Sequence, residues 1–228
     1  MGICMIRCFR NYSFAILGAM TMRIGYRIFI GFLAMVGITV IFSLCGIDAW
    51  WVRIWYGSAA SKVFGLAGFI GFFMPFMLWA VLLIVGYAWN RSLWKYAAWG
   101  SAAAGTVGWI ASSALKFFTG RPGLHAGANL REWSQTFQFG LGKGGIFWGW
   151  PSSHTTVAVA MSVALAVMFK EKKWVGILAI AYAAYIAIGA TGFHWASDVI
   201  AGAILGTGIG IGVGNIVIEK QKRGLTKK

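Results

Sequence analysis

The chain has 228 residues, of which 59% are hydrophobic and 11% are charged, and its formal net charge is +15. Soluble domains contain about 45–50% apolar and about 25% charged residues. This composition therefore excludes a disordered, collagen-like or disulfide-stapled chain and argues against an ordinary soluble enzyme. It is typical of a polytopic membrane protein, in which a basic excess reports topology.

The chain begins with a basic segment, residues 1–27, which we expect to be cytoplasmic or interfacial. Its apolar run over residues 13–22 is too short to span and is closely followed by Arg23 and Arg27. This pattern is typical of an interfacial entry helix and not of a cleavable signal peptide.

Six apolar stretches follow, each near the roughly 20 residues that cross a bilayer. The sequence predicts an all-α polytopic bundle of six transmembrane helices within residues 28–218, and then a basic cytoplasmic tail, 219–228. The predicted spans are residues 28–46, 64–89, 96–115, 152–169, 174–191 and 197–218.

Basic residues are divided unequally between the two ends of these spans. On this topology 14 of the 20 lie at the termini and in the loops on the same side. The positive-inside rule places both termini in the cytoplasm, and we expect a multi-pass protein of the bacterial inner membrane. Since the cations lie in short loops and tails beside spans, no nucleic-acid partner is expected.

The sixth predicted span carries glycine at every fourth position, from Gly202 to Gly214. Small residues at this spacing allow another helix to approach closely. The stripe predicts either tight packing inside the bundle or a homodimer seam.

Polar residues gather in three patches at the outer ends of the spans: residues 116–122, 150–156 and 192–198. The predicted topology brings all three to one side of the membrane. The third patch contains His194 and Asp198, which share a helix face at i and i+4, so that the carboxylate can orient the imidazole. Asp198 is the one carboxylate that we expect inside the membrane region, where ionisable groups mark function.

Phosphoryl transfer is the chemistry that fits these patches. Lys116 and Arg121 can supply cations, and the helix start at Ser152 and Ser153 can supply N–H groups and a helix dipole. One histidine can attack phosphorus while a second protonates the leaving oxygen. The outer face offers too few carboxylates to hold magnesium, so neither a metal nor another cofactor is expected.

From about residue 116 to 202 the chain resembles the type-2 phosphatidic acid phosphatase superfamily, whose signatures are Lys followed by Arg-Pro, Pro-Ser-Gly-His, and Ser-Arg-x5-His-x3-Asp. The resemblance implies that His194 is the nucleophile that becomes phosphohistidine. It also implies that Asp198 orients His194 and that His154 is the general acid, which then activates water. The phosphate ligands that it implies are Lys116, Arg121, Ser152 and the backbone of Ser153.

The sequence departs from the family signatures in three places. Ser153 replaces the glycine of the second signature, a mild change at a helix start. Two phosphate-binding arginines are absent, because their positions hold Gly123 and Ile188. Each lost charge-assisted contact is worth on the order of 2–4 kcal/mol in the transition state.

Three residues of the long outer loop, residues 116–151, are candidates to replace the missing positive charge. Lys143 is the first, since it lies in a glycine-rich run just before the second patch. Arg131 is the second and His125 the third.

The sequence thus predicts an integral-membrane lipid phosphate phosphatase that acts at the outer face on polyprenyl diphosphate, phosphatidylglycerophosphate, phosphatidic acid or lipid A. The family also contains phosphotransferases, which pass the phosphoryl group to another lipid. The missing arginines favour a different alternative, a catalytically impaired lipid-binding or transport protein. A channel or transporter is disfavoured because the spans are apolar at mid-depth.

Overall fold

The structure, a computed structural model, describes residue 26 and residues 28–71, 73–124, 129–145 and 148–225. This part of the chain is helical, without a strand, as the composition predicts. Its helices are α1 Ile28–Leu44, α2 Ile47–Gly57, α3 Ala59–Ile70, α4 Met74–Ala88, α5 Ser92–Thr119, α6 Leu130–Ser134, α7 Ser153–Met168, α8 Lys173–Ala190 and α9 Ala196–Leu225.

Two helices in the described ranges are long and apolar enough to cross a membrane, Lys173–Ala190 and Ala196–Arg223. The bent pair α1 and α2 would make a third span. The apolar helices indicate a membrane protein, while the six spans, the cytoplasmic termini and the domain limits stay predictions. The interfacial helix expected within residues 1–27 falls almost wholly outside the described residues.

The structure corrects the second predicted span, residues 64–89, which is not one helix. It is divided into α3 and α4, with Gly71 and Phe73 at the break and a proline, Pro75, in the first turn of α4. Proline is tolerated in the first turn because the N–H it lacks would have no partner in the helix there. Continuous hydropathy concealed this break, since every residue around it is apolar or glycine.

Helix α7 is the centre of the bundle and packs against α5, α8 and α9. The glycine stripe of α9 lies on α7: a Cβ at Gly202 would approach the Ser152 carbonyl oxygen to 2.6 Å, and one at Gly206 would approach that of Thr156 to the same distance. The expected packing inside the bundle is confirmed, and the homodimer seam stays a prediction. This close approach joins the starts of α7 and α9, where the second and third patches lie.

The junction of α1 and α2 turns the chain sharply. The two helix axes differ by 73°, and Gly46 between them has φ 74°, in the left-handed region that favours glycine. The turn brings Asp48, in the first turn of α2, into the protein interior, where it is fully buried.

Candidate active site

The three polar patches predicted from the sequence meet at one end of the bundle. The N–H of Ser152, the N-cap of α7, donates to the carbonyl of Asp198 at 3.0 Å. The N–H of Gly149 donates to the carbonyl of Arg121 at 2.7 Å. These backbone bonds hold the loop after α5, the start of α7 and the start of α9 together.

Two histidines face each other in this cluster. The ring centroids of His154 and His194 are 6.0 Å apart, with an angle of 60° between the ring planes. His194 is 5% exposed and His154 is half-buried. Two imidazoles this close can act on the same phosphoryl group, one as nucleophile and the other as proton donor.

Asp198 lies behind His194, one helical turn further along the chain. Its Oδ2 is 3.8 Å from Nδ1 of His194 and accepts the backbone N–H of Trp195 at 3.2 Å. Within the described part of the chain, Nδ1 of His194 has no hydrogen-bond partner. The carboxylate therefore faces the ring electrostatically, which favours the tautomer that carries its proton on Nδ1 and leaves Nε2 free to attack.

His194 lies in the loop between α8 and α9. Burial lowers the pKa of its imidazole below the ordinary value of 6.5, and the neighbouring Asp198 opposes that shift. The pKa of His194 is also lowered by the charge of Lys116. The imidazole is therefore neutral at pH 7, which is the form that a nucleophile requires.

Lys116 is the cation beside His154 and His194, and these three residues together form the histidine cluster. Its side chain is 2% exposed, near the end of α5, and its ammonium interacts electrostatically with Asp198 and with both histidines. A buried ammonium beside two imidazoles can stabilise the charge on a phosphoryl group in transfer, because the surroundings screen it weakly.

The N-terminus of α7 provides the second element expected to bind phosphate. Ser152 is buried, and its Oγ accepts the N–H of Thr155 at 3.4 Å as a helix cap. Ser153 is the first residue of the helix, and its hydroxyl lies 2.9 Å from that of Ser112 on α5. This helix start presents the positive end of the α7 dipole beside His154.

Arg121 occupies a different position from the one expected of a phosphate ligand. It is fully buried, and its NH1 donates to Asp198 and to Ser197 Oγ (2.8 Å). Its NH2 donates to Asp48 Oδ2 at 2.7 Å and to the Ser134 carbonyl at 2.6 Å. Among the described residues, Nε of Arg121 has no hydrogen-bond partner, and it is buried like the rest of the side chain.

Asp48 is a second carboxylate in the interior, where the sequence predicts Asp198 alone. Its carboxylate is fully buried and accepts the backbone N–H of Ser197 at 2.9 Å and the Ser197 hydroxyl at 2.7 Å. The signal was present, since the chain has 5 acidic residues in all and Asp48 lies between two apolar stretches. Its neighbours Trp50 and Trp51, however, indicated an interfacial position.

Comparison with known proteins identifies the family of this chain. The family model described as the PAP2 superfamily matches residues 95–222, which is more than half of the chain and includes all three patches. The chain belongs to the PAP2 superfamily. The family carries phosphatase and phosphotransferase activity on phosphate esters, and its members are generally phosphatases. No curated protein and no solved structure matches this chain.

Two of the three expected replacement cations lie at the surface of the described part of the chain. The side chains of Lys143 and Arg131 are exposed, and His125 lies outside the described residues. At the two positions that lack arginine, Ile188 is 39% exposed and Gly123 has room for a side chain, since an added Cβ would meet nothing nearer than 3.8 Å.

The break between α3 and α4 contributes a wall that the continuous span did not predict. A Cβ at Gly71 would lie 3.4 Å from Cδ2 of His154 and 2.8 Å from the Ala67 carbonyl oxygen. The backbone of the break therefore packs close to the imidazole, and only glycine fits there.

No cluster of three or more His, Cys, Asp or Glu side chains that could hold a metal is present in the described ranges. The buried carboxylates of Asp48 and Asp198 share the guanidinium of Arg121. A metal-free reaction stays a prediction.

Proposed function

We propose that this protein is an integral-membrane lipid phosphate phosphatase that works through a phosphohistidine at the outer face of the bacterial inner membrane. The observation that carries the proposal is the pair of facing imidazoles, with Asp198 behind His194 and the buried ammonium of Lys116 beside both rings. A nucleophile, a proton donor, an orienting carboxylate and a cation are thus close together.

The first step transfers the phosphoryl group to the protein. Nε2 of His194 forms a bond to phosphorus as the P–O bond to the leaving group breaks, an ester bond in a monoester and an anhydride bond in a diphosphate, and the leaving oxygen takes a proton from His154. Asp198 stabilises the cationic ring of His194 that results. The products are the dephosphorylated lipid, phosphohistidine and a neutral His154.

The second step uses water. Neutral His154 removes a proton from a water molecule, whose oxygen attacks phosphorus while the bond to Nε2 breaks. Inorganic phosphate leaves, His154 is protonated again and His194 returns to its neutral form. Both steps use the same two histidines in reciprocal roles.

Phosphate oxygens would be bound by Lys116 and by the N-terminus of α7 at Ser152 and Ser153. Arg121 would contribute through Nε, because NH1 and NH2 already donate to protein groups. Lys143 would have to reach the cluster from the exposed loop before α7.

The substrate class that we propose is a lipid phosphomonoester or diphosphate: polyprenyl diphosphate, phosphatidylglycerophosphate, phosphatidic acid or lipid A. Helices with large apolar side chains exposed on their surfaces surround the site, and such surfaces are stable in lipid. A substrate anchored in the bilayer could present its head group at the polar end of the bundle.

A catalytically impaired lipid-binding or transport protein is the second candidate. The scarcity of cations favours it, since arginine is absent at Gly123 and Ile188 and the terminal nitrogens of Arg121 already have acceptors. The complete set of His154, His194 and Asp198 favours the enzyme, because binding alone does not need it.

Phosphate release by the purified protein in detergent, from the four lipid phosphates without added metal, tests the proposal. We expect release from at least one of them, and formation of an acid-labile, alkali-stable phosphoenzyme with a ³²P-labelled substrate. His194→Ala should abolish both, and His154→Asn should slow both.

Three results would contradict parts of this proposal. Release that survives His194→Ala would reject the nucleophile, and strict dependence on magnesium would reject the metal-free reaction. Tight binding of the lipid phosphates without turnover would establish the second candidate. Transfer of ³²P to an added lipid rather than to water would identify a phosphotransferase.

A further inference from the structure

A cluster of buried charges, the ion cluster, lies next to the histidines and shares Asp198 with them. It consists of Asp48 from α2, Arg121 from the loop after α5, and Ser197 and Asp198 from the start of α9, and every one of these side chains is fully buried. Two further segments reach it, since the hydroxyl of Ser43 on α1 (2.9 Å) and the carbonyl of Ser134 at the end of α6 (2.6 Å) also accept from NH2 of Arg121.

The guanidinium bridges two carboxylates. NH2 of Arg121 lies 2.7 Å from Oδ2 of Asp48, and NH1 pairs with Oδ1 of Asp198. The rings of Phe137 and Trp195 lie over the same guanidinium, 5.0 and 5.5 Å from Cζ to the ring centroids. A planar cation held by both its edges and its faces has little freedom to turn.

Asp48 fixes this arrangement from the side opposite Asp198. Besides Arg121, it binds both the backbone N–H and the hydroxyl of Ser197, which begin the helix that carries Asp198. Asp48 therefore holds two things at once: the cation that pairs with Asp198 and the first turn of α9.

We propose that Asp48 is a positioning residue, which acts through Arg121 and Ser197 to hold the Asp198 carboxylate against His194. The inference rests on the proposed function, in which His194 attacks through Nε2. With Asp48 in place, Oδ1 of Asp198 is bound by Arg121 and Oδ2 is left to face Nδ1 of His194. Without its charge, NH2 of Arg121 keeps only neutral acceptors, the Ser43 hydroxyl and the Ser134 carbonyl. The guanidinium is then drawn toward both oxygens of Asp198, in the bidentate geometry that guanidinium and carboxylate prefer.

The test is Asp48→Asn, which keeps the shape and removes the charge. The matched control is Glu132→Gln, since Glu132 is an exposed acid on α6, two residues before Ser134. We expect Asp48→Asn to lower kcat about tenfold, the lower end of what an orienting partner contributes, with KM within about twofold of the wild type. The control should change neither value.

A second measurement does not depend on turnover. The chain has 3 histidines, so the ring ¹⁵N signals of histidine-labelled protein in detergent can be assigned with His125→Asn and His154→Asn variants. At a pH where His194 is neutral, we expect one tautomer, with its proton on Nδ1. In Asp48→Asn the two tautomers should both be populated.

The outcomes separate this inference from the proposed function. A wild type that hydrolyses none of the lipid phosphates would overturn the function, while the tautomer comparison would still decide the role of Asp48. A folded Asp48→Asn protein with wild-type kcat and a single Nδ1–H tautomer would overturn the inference. A variant that only unfolds at lower temperature, with kcat per folded molecule and tautomer unchanged, would show a structural role and overturn it as well.

Discussion

Two adjacent polar regions of this molecule differ in how completely their charged and polar groups are paired. The ion cluster of Asp48, Arg121, Ser197 and Asp198 is sealed from solvent, and both terminal nitrogens of its cation have acceptors within the protein. The histidine cluster of His154, His194 and Lys116 is built around imidazoles, and Nδ1 of His194 has no hydrogen-bond partner among the described residues. Asp198 contacts both clusters, since it pairs with Arg121 in one and faces His194 in the other.

The difference shows that the paired charges lie beside the histidines and not among them. Buried charges are stable only when they are paired and hydrogen-bonded, and the ion cluster meets that condition almost completely. The histidine cluster has unused hydrogen-bonding capacity, as a site that must bind a substrate group requires. The fixed ion cluster on one side of Asp198 thus holds this carboxylate in place for His194 on the other side.

Arg121→Gln should have the largest effect, because it leaves two buried carboxylates without their cation. Removal of one partner from a buried ion pair costs about 3–5 kcal/mol, so we expect a large drop in thermal stability in detergent and little folded protein. Arg131→Gln, at an exposed arginine of the same outer loop, is the control and should unfold like the wild type. Equal unfolding temperatures for the two variants would contradict the central place of the ion cluster.

Lys116→Met should act on the other side of the comparison. It removes the buried cation of the histidine cluster and keeps a long side chain, so we expect kcat/KM to fall about 10²- to 10³-fold with a small change in stability. Lys62→Ala, at an exposed lysine, is the control.

The same assay tests Lys143. Lys143→Ala removes the cation that the sequence predicts as a replacement for a missing arginine, and a wild-type rate would exclude it from the site.

For Lys116→Met, a loss of thermal stability without a loss of activity would contradict the role of Lys116 beside the histidines. Such a result would place Lys116 in the ion cluster instead.

Gly123→Arg should sharpen the comparison by adding a cation beside the loop that carries His194, since an added Cβ at Gly123 would lie 3.8 Å from the Phe193 carbonyl oxygen. The position has room for a side chain and is where the family signature has arginine. A charge-assisted hydrogen bond to phosphate is worth about 1.5–3 kcal/mol, so we expect kcat/KM to rise about tenfold. Gly123→Gln is the uncharged control, and an equal gain in both variants would show that charge is not the cause.

The pH dependence of kcat/KM should show the smallest effect. Protonation of His194 removes the nucleophile as the pH falls, and burial lowers the pKa of this imidazole, so the acid limb should lie below pH 6.5. Among the described residues, the charged or titratable groups that face the ring are Asp198 from α9, Lys116 from α5 and His154 from α7. Asp198→Asn removes the negative charge and should move the limb to lower pH; a move to higher pH would contradict this electrostatic account.

Several features were predictable from the sequence because they depend on local pattern. Long apolar stretches predicted the helical class and the membrane. Spaced motifs predicted that residues near Lys116, His154 and His194 meet, and the family match over residues 95–222 confirms the superfamily. The i and i+4 spacing placed Asp198 on the face of His194, because helix geometry alone sets that relation.

Other features were decided only by the tertiary structure. The partners of Arg121 come from α1, α2, α6 and α9, and no local pattern predicts which distant carboxylate will neutralise a buried cation. Asp48 enters the interior only because Gly46 turns α2 by 73° from α1. The division of the second predicted span places the backbone of Gly71 close to His154, a relation that hydropathy cannot register. Sequence determined which chemical groups are available, whereas packing determined which of them are committed to each other.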